Sequence, residues 1–342
     1  MLSGKTILIT GGTGSFGKKM VEVILARYRP EKLIIFSRDE LKQYDMSQKW
    51  SAEKYPCMRY FLGDVRDKDR LVRAFHGVDY IIHAAALKQV PAAEYNPAEF
   101  IKTNVNGAMN VIDAAIDRNV KKVVALSTDK ACNPANLYGA TKLCSDKLFL
   151  AASVYGGQDG TVFSVVRYGN VVGSRGSVIP FFTKEAAKGV LPITDVRMTR
   201  FWITLDQAAD FVLKALALSK GSEVFVPKIP SMKITDLAKA IAPECEHKIV
   251  GIRPGEKIHE TLVAEDEGRN TVEYRECFVV RHNFLPGDQK NGKRCVEGFK
   301  YTSDNNTLHI GIEELRLVLA RMSAEEGVAA GNHWRMEDLA RG

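Results

Sequence analysis

Lys5-Thr-Ile-Leu-Ile-Thr10 runs directly into Gly11-Gly-Thr-Gly-Ser-Phe-Gly17, and the reading of this stretch decides the fold. Ile7, Leu8 and Ile9 form a short aliphatic, partly β-branched run, which suits a strand buried on both faces of a parallel sheet. Glycines at 11, 14 and 17 follow at G-x-x-G-x-x-G spacing, and Lys18 to Tyr28 then has helical periodicity. Glycine in these places permits a tight turn, close approach of backbone to a pyrophosphate and close helix–strand packing. The helix N-terminus supplies oriented N–H groups for the phosphates. A strand before and a helix after separate this pattern from an ordinary glycine-rich loop. Gly11, Thr13, Gly14, Ser15, Phe16 and Gly17 are therefore the expected cradle of a dinucleotide.

The repeating unit continues outward. Leu33 to Phe36 is the second strand and ends in Ser37-Arg38, with Asp39-Glu40 only afterwards. An acidic residue at this strand end holds a ribose 2′-hydroxyl, whereas the forked guanidinium of Arg38 suits a 2′-phosphate, so NADP is expected. The competing reading has Arg38 stacked on the adenine and Asp39 selecting NAD. Met58 to Leu62 reads as a third strand, with Asp64 and Val65 at the adenine end. Asp79 to Ala84 reads as a fourth. Small residues at its end and after it, Ala84, Ala85 and Ala86, let a cofactor lie against the backbone, and Lys88 is placed to meet a substrate phosphate or the cofactor. Pro97 to Arg118 reads as one long helix containing Thr103 and Asn104. Val123 to Leu126 and Val162 to Val166 are the fifth and sixth strands. Alternating strands and helices with right-handed crossovers predict an α/β, doubly wound parallel sheet.

The fifth strand leads into Ser127-Thr-Asp-Lys-Ala-Cys-Asn-Pro-Ala-Asn-Leu-Tyr-Gly-Ala-Thr-Lys142. Open α/β sheets place their ligands at the carboxyl ends of the strands. Thr128, Asp129 and Lys130 emerge there together. Tyr138 and Lys142, four apart at the start of a predicted helix, share one face. An ammonium beside a phenol favours the phenolate, so Tyr138 is expected to act as a base below its free value. A surface Tyr and Lys one turn apart is the commoner meaning of such a pair; the surrounding blocks decide against it.

Those blocks resemble the extended short-chain dehydrogenase/reductases. The resemblance rests on Gly11-x-x-Gly14-x-x-Gly17, His83-Ala84-Ala85-Ala86, Thr128 and Tyr138-x-x-x-Lys142. More narrowly, the chain is similar to the inverting UDP-N-acetylglucosamine 4,6-dehydratases of pseudaminic acid synthesis. That match lies in Ala85-Ala-Leu-Lys-Gln-Val-Pro91, Ser127 to Pro134, Arg167-Tyr-Gly-Asn-Val-Val-Gly-Ser-Arg-Gly-Ser177, Met198-Thr-Arg-Phe-Trp-Ile203 and Gly251-Ile-Arg-Pro-Gly-Glu-Lys257. Retaining sugar-nucleotide dehydratases carry Thr-Asp-Glu where this chain has Thr128-Asp129-Lys130, which points to the inverting branch.

The resemblance implies a tightly held NADP, regenerated each turnover and bound by Gly11, Thr13, Gly14, Ser15, Phe16, Gly17, Ser37, Arg38, Asp64, Val65, Ala84, Ala86, Lys88, Thr103, Tyr138 and Lys142. Thr128, Asp129, Lys130, Tyr138 and Lys142 would be catalytic. A neutral Lys130 would take the C5 proton and a protonated Asp129 would release the C6 hydroxyl. Lys88, Asn170, Ser177, Val178, Thr194, Arg200, Arg253 and Glu256 would hold UDP-N-acetylglucosamine, with Arg200 and Arg253 as phosphate clamps. The family also implies a homo-oligomer, dimer or hexamer, using the helices around 97–118 and 138–155. A UDP-sugar 4- or 5-epimerase, or a non-catalytic NADP-binding regulator, are the alternatives.

Composition bounds these readings. The chain has 342 residues, 45% hydrophobic and 26% charged, as soluble domains do. No apolar run approaches a membrane span, and no signal-peptide pattern precedes the first strand, so a cytoplasmic protein is expected. The net charge is +7 without a long basic run, which suits a polyanionic small substrate and gives no nucleic-acid signature. Cysteines 57, 132, 144, 245, 277 and 295 lack CxxC spacing and read as reduced thiols; no metal site is expected. The expected division is a dinucleotide domain over 1–172, rejoined by 204–228, and a smaller substrate domain over 173–203 and 229–282. The tail 283–342 has no assigned role.

Overall fold

The structure, a computed structural model, describes residues 1–155, 160–173, 178–281 and 292–329. Its frame is a large sheet whose strands, in chain order, are β1 (Thr6–Thr10), β2 (Lys32–Ser37), β3 (Met58–Leu62), β4 (Tyr80–His83), β5 (Lys122–Thr128), β6 (Val162–Tyr168), β7 (Glu223–Pro227), β8 (Thr271–Glu273), β9 (Cys277–Arg281) and β10 (Lys293–Arg294). They lie in the order β10-β8-β9-β7-β6-β5-β4-β1-β2-β3. Pairing is parallel from β3 through β7 and antiparallel from β9 to β10. The reversal of strand order between β1 and β4 leaves a crevice at their carboxyl ends. All residues of β1 are buried. Each of Ile7, Leu8 and Ile9 contributes about 1.5–3 kcal/mol by leaving water, which explains an unbroken apolar run rather than an alternating one.

The doubly wound sheet matches its expectation, and Glu223–Pro227 joins it parallel to β6. The helix Leu205–Leu218 packs on Ser15–Arg27, where Arg27 pairs with Asp210 and Lys19 with Asp206 at 3.2 Å. Strands β8 and β9 differ from expectation: they fall in the range assigned to the substrate domain yet extend the large sheet. Phe278, Val279 and Val280 are buried against the main core, and that burial outweighs their place in the chain.

A second core gathers Val172, Ile179, Phe182, Leu191, Trp202, Met232, Leu237 and Leu315. Around it lie a small sheet of Asn170–Val171, Thr199–Ile203 and Ser231–Lys233, a strand pair of Val190–Ile193 with Glu246–Ile249, and the helices Val178–Ala186, Ile234–Ile241 and Ile312–Ala329. The tail is thus structural: Leu315 enters this core. Tyr301–Thr302 pairs with Thr261–Val263, and the Tyr301 hydroxyl donates to the Ile229 carbonyl at 2.9 Å.

The predicted single helix over Pro97 to Arg118 is interrupted. Pro97–Phe100 is α-helical, Ile101–Asn106 is a π-helical turn, and Gly107–Asp117 is α-helical again. Asn104 sits in the wide turn. Its amide donates to the Leu87 carbonyl at 2.9 Å and to Thr141 Oγ1 at 3.0 Å, and its Oδ1 accepts from Leu87 N at 2.9 Å. Those bonds tie the loop after β4 to the helix Leu137–Ala152.

Candidate active site

A cleft of about 1140 Å³ runs along the carboxyl ends of the parallel strands and continues between the two cores. At one end the backbone shapes it. Gly11 has φ +64°, and a Cβ there would lie 2.8 Å from the Ala85 backbone. A Cβ on Gly17 would lie 2.3 Å from the Gly12 carbonyl oxygen. The helix that follows starts at Ser15 after Gly14, which offers no side-chain cap to its first N–H groups. Thr103 Oγ1 is buried in the same wall without a hydrogen bond among the described residues. These features fit a dinucleotide: a cradle that any side chain would fill, and donors suited to phosphate.

Thr13, Gly14, Ser15, Phe16, Ser37, Arg38, Asp64, Val65, Ala84, Ala86 and Lys88 also line this end. Arg38 Nη1 lies 3.5 Å from Asp64 Oδ2, but Asp64 is gripped more closely by Arg66, at 2.7 and 2.9 Å. Burial opposes the charge of Asp64; the Arg66 hydrogen bonds and nearby guanidinium charges prevail and keep its carboxyl below the usual range. Asp39, the rival selector, is engaged elsewhere: it caps the helix Glu40–Lys49 through Lys42 N at 3.0 Å and pairs with the Lys42 ammonium.

Further along the cleft, Thr128 ends β5 and donates to Asp129 Oδ1 at 2.9 Å. Asp129 is fully buried behind the wall, whereas Thr128, Lys130, Tyr138 and Lys142 reach the cleft itself. Lys130 Nζ meets Asp129 Oδ1 at 3.0 Å, Asn170 Oδ1 at 3.4 Å and Glu260 Oε1 at 3.5 Å. Burial raises the Asp129 carboxyl; Lys130 opposes this and Glu260 adds to it, with the net direction upward. That direction favours keeping a proton on the Asp129–Lys130 pair.

Lys130 does not behave as expected. Burial works against its charge, but Asp129 and Glu260 outweigh it and hold the ammonium above its ordinary value. The Glu260 carboxylate is likewise disfavoured by burial yet kept below its usual range by Lys130, Arg200 and Lys257. The expected neutral lysine is thus disfavoured, the shared proton of the pair being drawn to Lys130 by the carboxyl groups on either side of it.

Tyr138 also departs from expectation. Burial pushes its phenol up to about 12, against the lowering influence of the Lys130 charge and a hydrogen bond with Thr128. The Lys142 ammonium is itself depressed by burial, with Asp146 opposing, and the charge that reaches the phenol comes from Lys130. His83, beneath these groups, is bonded to Thr10 Oγ1 at 2.8 Å; burial and then the Lys142 charge bring it down to about 3, so it stays neutral.

The far end of the cleft brings together Asn170, Val178, Thr194, Arg200, Arg253 and Glu256. Ser177, with Arg175 and Gly176, lies outside the described residues. Arg200 is less available than a phosphate clamp should be. Its Nη1 donates to the Thr199 and Ile258 carbonyls at 2.7 and 3.0 Å, its Nη2 donates to Lys257 O at 2.9 Å, and its Nε lies 3.6 Å from Glu260. Two further bonds dock the loop bearing Arg253 and Glu256 onto the catalytic segment: Asn136 Nδ2 to Gly255 O at 2.8 Å, and Lys257 Nζ to Cys132 O at 2.6 Å.

Sequence reasoning missed Glu260, and also a buried network behind Lys142. Ser127 Oγ donates to Asp146 Oδ2 at 2.7 Å, Arg167 lies 3.6 Å from Asp146, and Arg167 grips Glu267 at 2.8 and 3.1 Å. Asp146 follows Lys142 at helical spacing and was legible in principle. No spacing links Glu260 or Glu267 to residues a hundred or more positions earlier.

A parallel sheet in this order, a glycine-shaped crevice at its switch point and a Tyr–Lys pair beside it define an extended short-chain dehydrogenase/reductase. Within that class, the chain belongs to the polysaccharide biosynthesis protein family, whose model matches residues 7–282. It is 56% identical, over 92% of its length and 97% of the relative, to a UDP-N-acetylglucosamine 4,6-dehydratase (inverting) of Campylobacter jejuni. It is 42% identical to a UDP-glucose 4-epimerase of Rickettsia conorii, over 93% of this chain and 96% of that one. Among solved structures it superposes on Pen from Bacillus thuringiensis with a TM-score of 0.87 and 37% identity, covering 94% of this chain and 99% of that one. DesIV, a dTDP-glucose 4,6-dehydratase from Streptomyces venezuelae solved with NAD, gives 0.66 and 25%, covering 74% and 86%.

Proposed function

We propose that this protein is a hydro-lyase that removes water from UDP-N-acetylglucosamine with inversion at C5, giving UDP-2-acetamido-2,6-dideoxy-β-L-arabino-hex-4-ulose. The observation that carries the reading is the Asp129–Lys130 pair, set beside Tyr138 in a cleft continuous with the glycine cradle. Similarity over almost the whole chain to the Campylobacter enzyme supports it. The cofactor is a nicotinamide dinucleotide, which the cradle with Arg38, Asp64, Val65 and Thr103 would hold and which would supply hydride exchange with the sugar at C4 and C6. Arg38 at the second strand end, with Asp39 committed to a helix cap, favours NADP.

The chain's own residues handle the protons. Tyr138, with Thr128 beside it, receives the C4 hydroxyl proton as the ketone forms, acting from the phenolate that the Lys130 charge and the Thr128 hydrogen bond favour against burial. The 4-ketone acidifies the C5 proton. Lys130 takes that proton from the tautomer in which the shared proton sits on Asp129 and the lysine is an amine. Asp129, behind the cleft wall, supplies through the Thr128 hydroxyl that lines the cleft the proton for the departing C6 hydroxyl, so water leaves and an ion pair remains. A solvent-derived proton, carried by Lys130 or another donor, then reaches the opposite face of C5, and the proton taken up by Tyr138 balances the one spent on water. Lys88, Asn170, Val178, Thr194, Arg253 and Glu256 bind the sugar nucleotide, and Arg200 contributes its charge from behind. The six cysteines at 57, 132, 144, 245, 277 and 295 are free thiols, which suits work as a homo-oligomer in the reducing cytoplasm. On this reading the product is carried into pseudaminic acid.

The Rickettsia relatives favour a second reading, UDP-sugar 4-epimerisation. A 4-epimerase uses Thr128, Tyr138 and the cofactor but has no task for a buried acid–base pair. Incubation with UDP-N-acetylglucosamine in deuterium oxide separates the two. We expect loss of one water, deuterium at C5, and a C6 hydrogen that came from C4 of the same molecule. A product of unchanged mass would establish the epimerase instead.

A further inference from the structure

Lys130 is held by more than its sequence neighbour. An ammonium has three N–H donors, and three acceptors surround this one: Asp129 from its own loop, Asn170 after β6, and Glu260 from the segment before Thr261–Val263. Glu260 is buried and has been brought there deliberately by the fold. Its backbone N–H donates to Ser303 Oγ at 2.9 Å, and Ser303 N donates back to the Glu260 carbonyl at 2.8 Å. Ser303 is fixed in turn by Thr199, with Oγ–Oγ at 2.6 Å. On the other side Arg200 lies 3.6 Å from the carboxylate, its guanidinium pinned by three backbone carbonyls. An isolated buried carboxylate is costly, so one supported this well has a partner to serve. Oδ2 of Asp129 and Oε2 of Glu260 accept no hydrogen bond among the described residues, which leaves charge as the main influence of Glu260 on the pair.

We propose that Glu260 is a positioning residue of the acid–base centre, anchoring Lys130 and placing a fixed negative charge beside the Asp129–Lys130 pair so that the pair retains its proton until the elimination. The chemistry rests on the dehydratase reading; the electrostatic role does not. The charges facing Lys130 are Asp129 and Glu260, which favour its ammonium, and Arg200 and Lys88, which oppose it; Tyr138 lies close by, and Lys257 acts on Glu260. With Glu260 neutralised, Lys130 is left with Asp129 as its one counter-charge. The pair then gives up its shared proton at lower pH, and the centre loses its acid.

The test uses the full-length protein with its cofactor and the variants Glu260→Gln and Glu260→Asp. Lysine side chains labelled with ¹⁵N give a direct readout, the Lys130 signal being assigned by its loss in Lys130→Ala. We expect Lys130 to lose its proton about one pH unit lower or more in Glu260→Gln, the scale of a close charge pair. With UDP-N-acetylglucosamine, kcat should fall roughly ten- to a hundredfold with KM within about twofold, and the alkaline limb of the kcat profile should move to lower pH. Glu260→Asp, which keeps the charge at longer reach, should recover part of both effects, and it decides the matter alone if the glutamine variant does not fold. An unchanged lysine titration in the variants overturns the proposal, even if activity falls. Should the unaltered protein release no water from UDP-N-acetylglucosamine, the functional reading fails while the titration still decides the role of Glu260.

Discussion

The two ends of the cleft are built differently. The dinucleotide end is made of backbone: a turn at Gly11, an uncapped helix start at Ser15 and small residues after β4. The other end, proposed to hold the sugar nucleotide, is made of long side chains converging from distant segments: Lys130, Asn170, Arg200, Arg253, Glu256 and Glu260. Backbone sites need particular residues at fixed short spacing, because each contact is local. Side-chain sites need only a fold that delivers the right groups, so their residues are scattered. The first kind recognises a constant ligand; the second kind is free to change chemistry on the same scaffold.

Lys130→Ala should separate the two ends most sharply. Turnover should drop by about three orders of magnitude or more, in the range of a lost general base, while copurifying dinucleotide stays at the wild-type level. Cofactor content by absorbance after denaturation checks this; a lysine variant that loses its cofactor would break the division between the ends.

The converse substitution is Gly11→Ala. The added Cβ sits 2.8 Å from the Ala85 backbone at a φ of +64°. We expect a loss of roughly 1–3 kcal/mol of stability from backbone strain, together with loss of copurified cofactor. Thermal melts with and without added NADP read both; a variant that keeps wild-type stability and cofactor would show that the turn can move.

Arg38→Ala is the mildest. NADP should weaken by about tenfold or more while NAD changes little, because on the proposed reading the substitution removes a forked, charge-assisted contact to the 2′-phosphate. Calorimetric titration of both dinucleotides measures the ratio, and equal losses would return the selection to another group.

The same contrast explains what the sequence made legible. Strands β1 to β7 follow from short apolar runs bounded by polar turns, and the helix carrying Tyr138 and Lys142 has a readable start at Asn136, whose Oδ1 accepts from Gly139 N at 2.8 Å. The charge state of the centre was not legible. A base must be neutral, but burial works against the Lys130 charge and is outweighed by Asp129 beside it and by Glu260, 130 positions away, which no local pattern reports. Tyr138 illustrates the same limit: YxxxK spacing places an ammonium near a phenol, yet the desolvation of both decides the outcome. Strands β8 and β9 were misassigned for a simpler reason. Chain order suggested the second domain, and only the core they pack against reveals otherwise.

The π-helical turn at Ile101–Asn106 has a consequence of its own. An α-helix advances about 100° per residue, so one surplus residue held in a wide turn resets the angular phase of everything after it. Before the turn that phase brings Phe100 inward, and within it Asn104 reaches Leu87 and Thr141. After it, Ala108, Val111, Ile112 and Ala115 are buried against the sheet. A regular helix of this length would have to sacrifice one set of contacts to keep the other. The surplus residue acts as a phase shifter, letting a single rod satisfy two surfaces that are out of step.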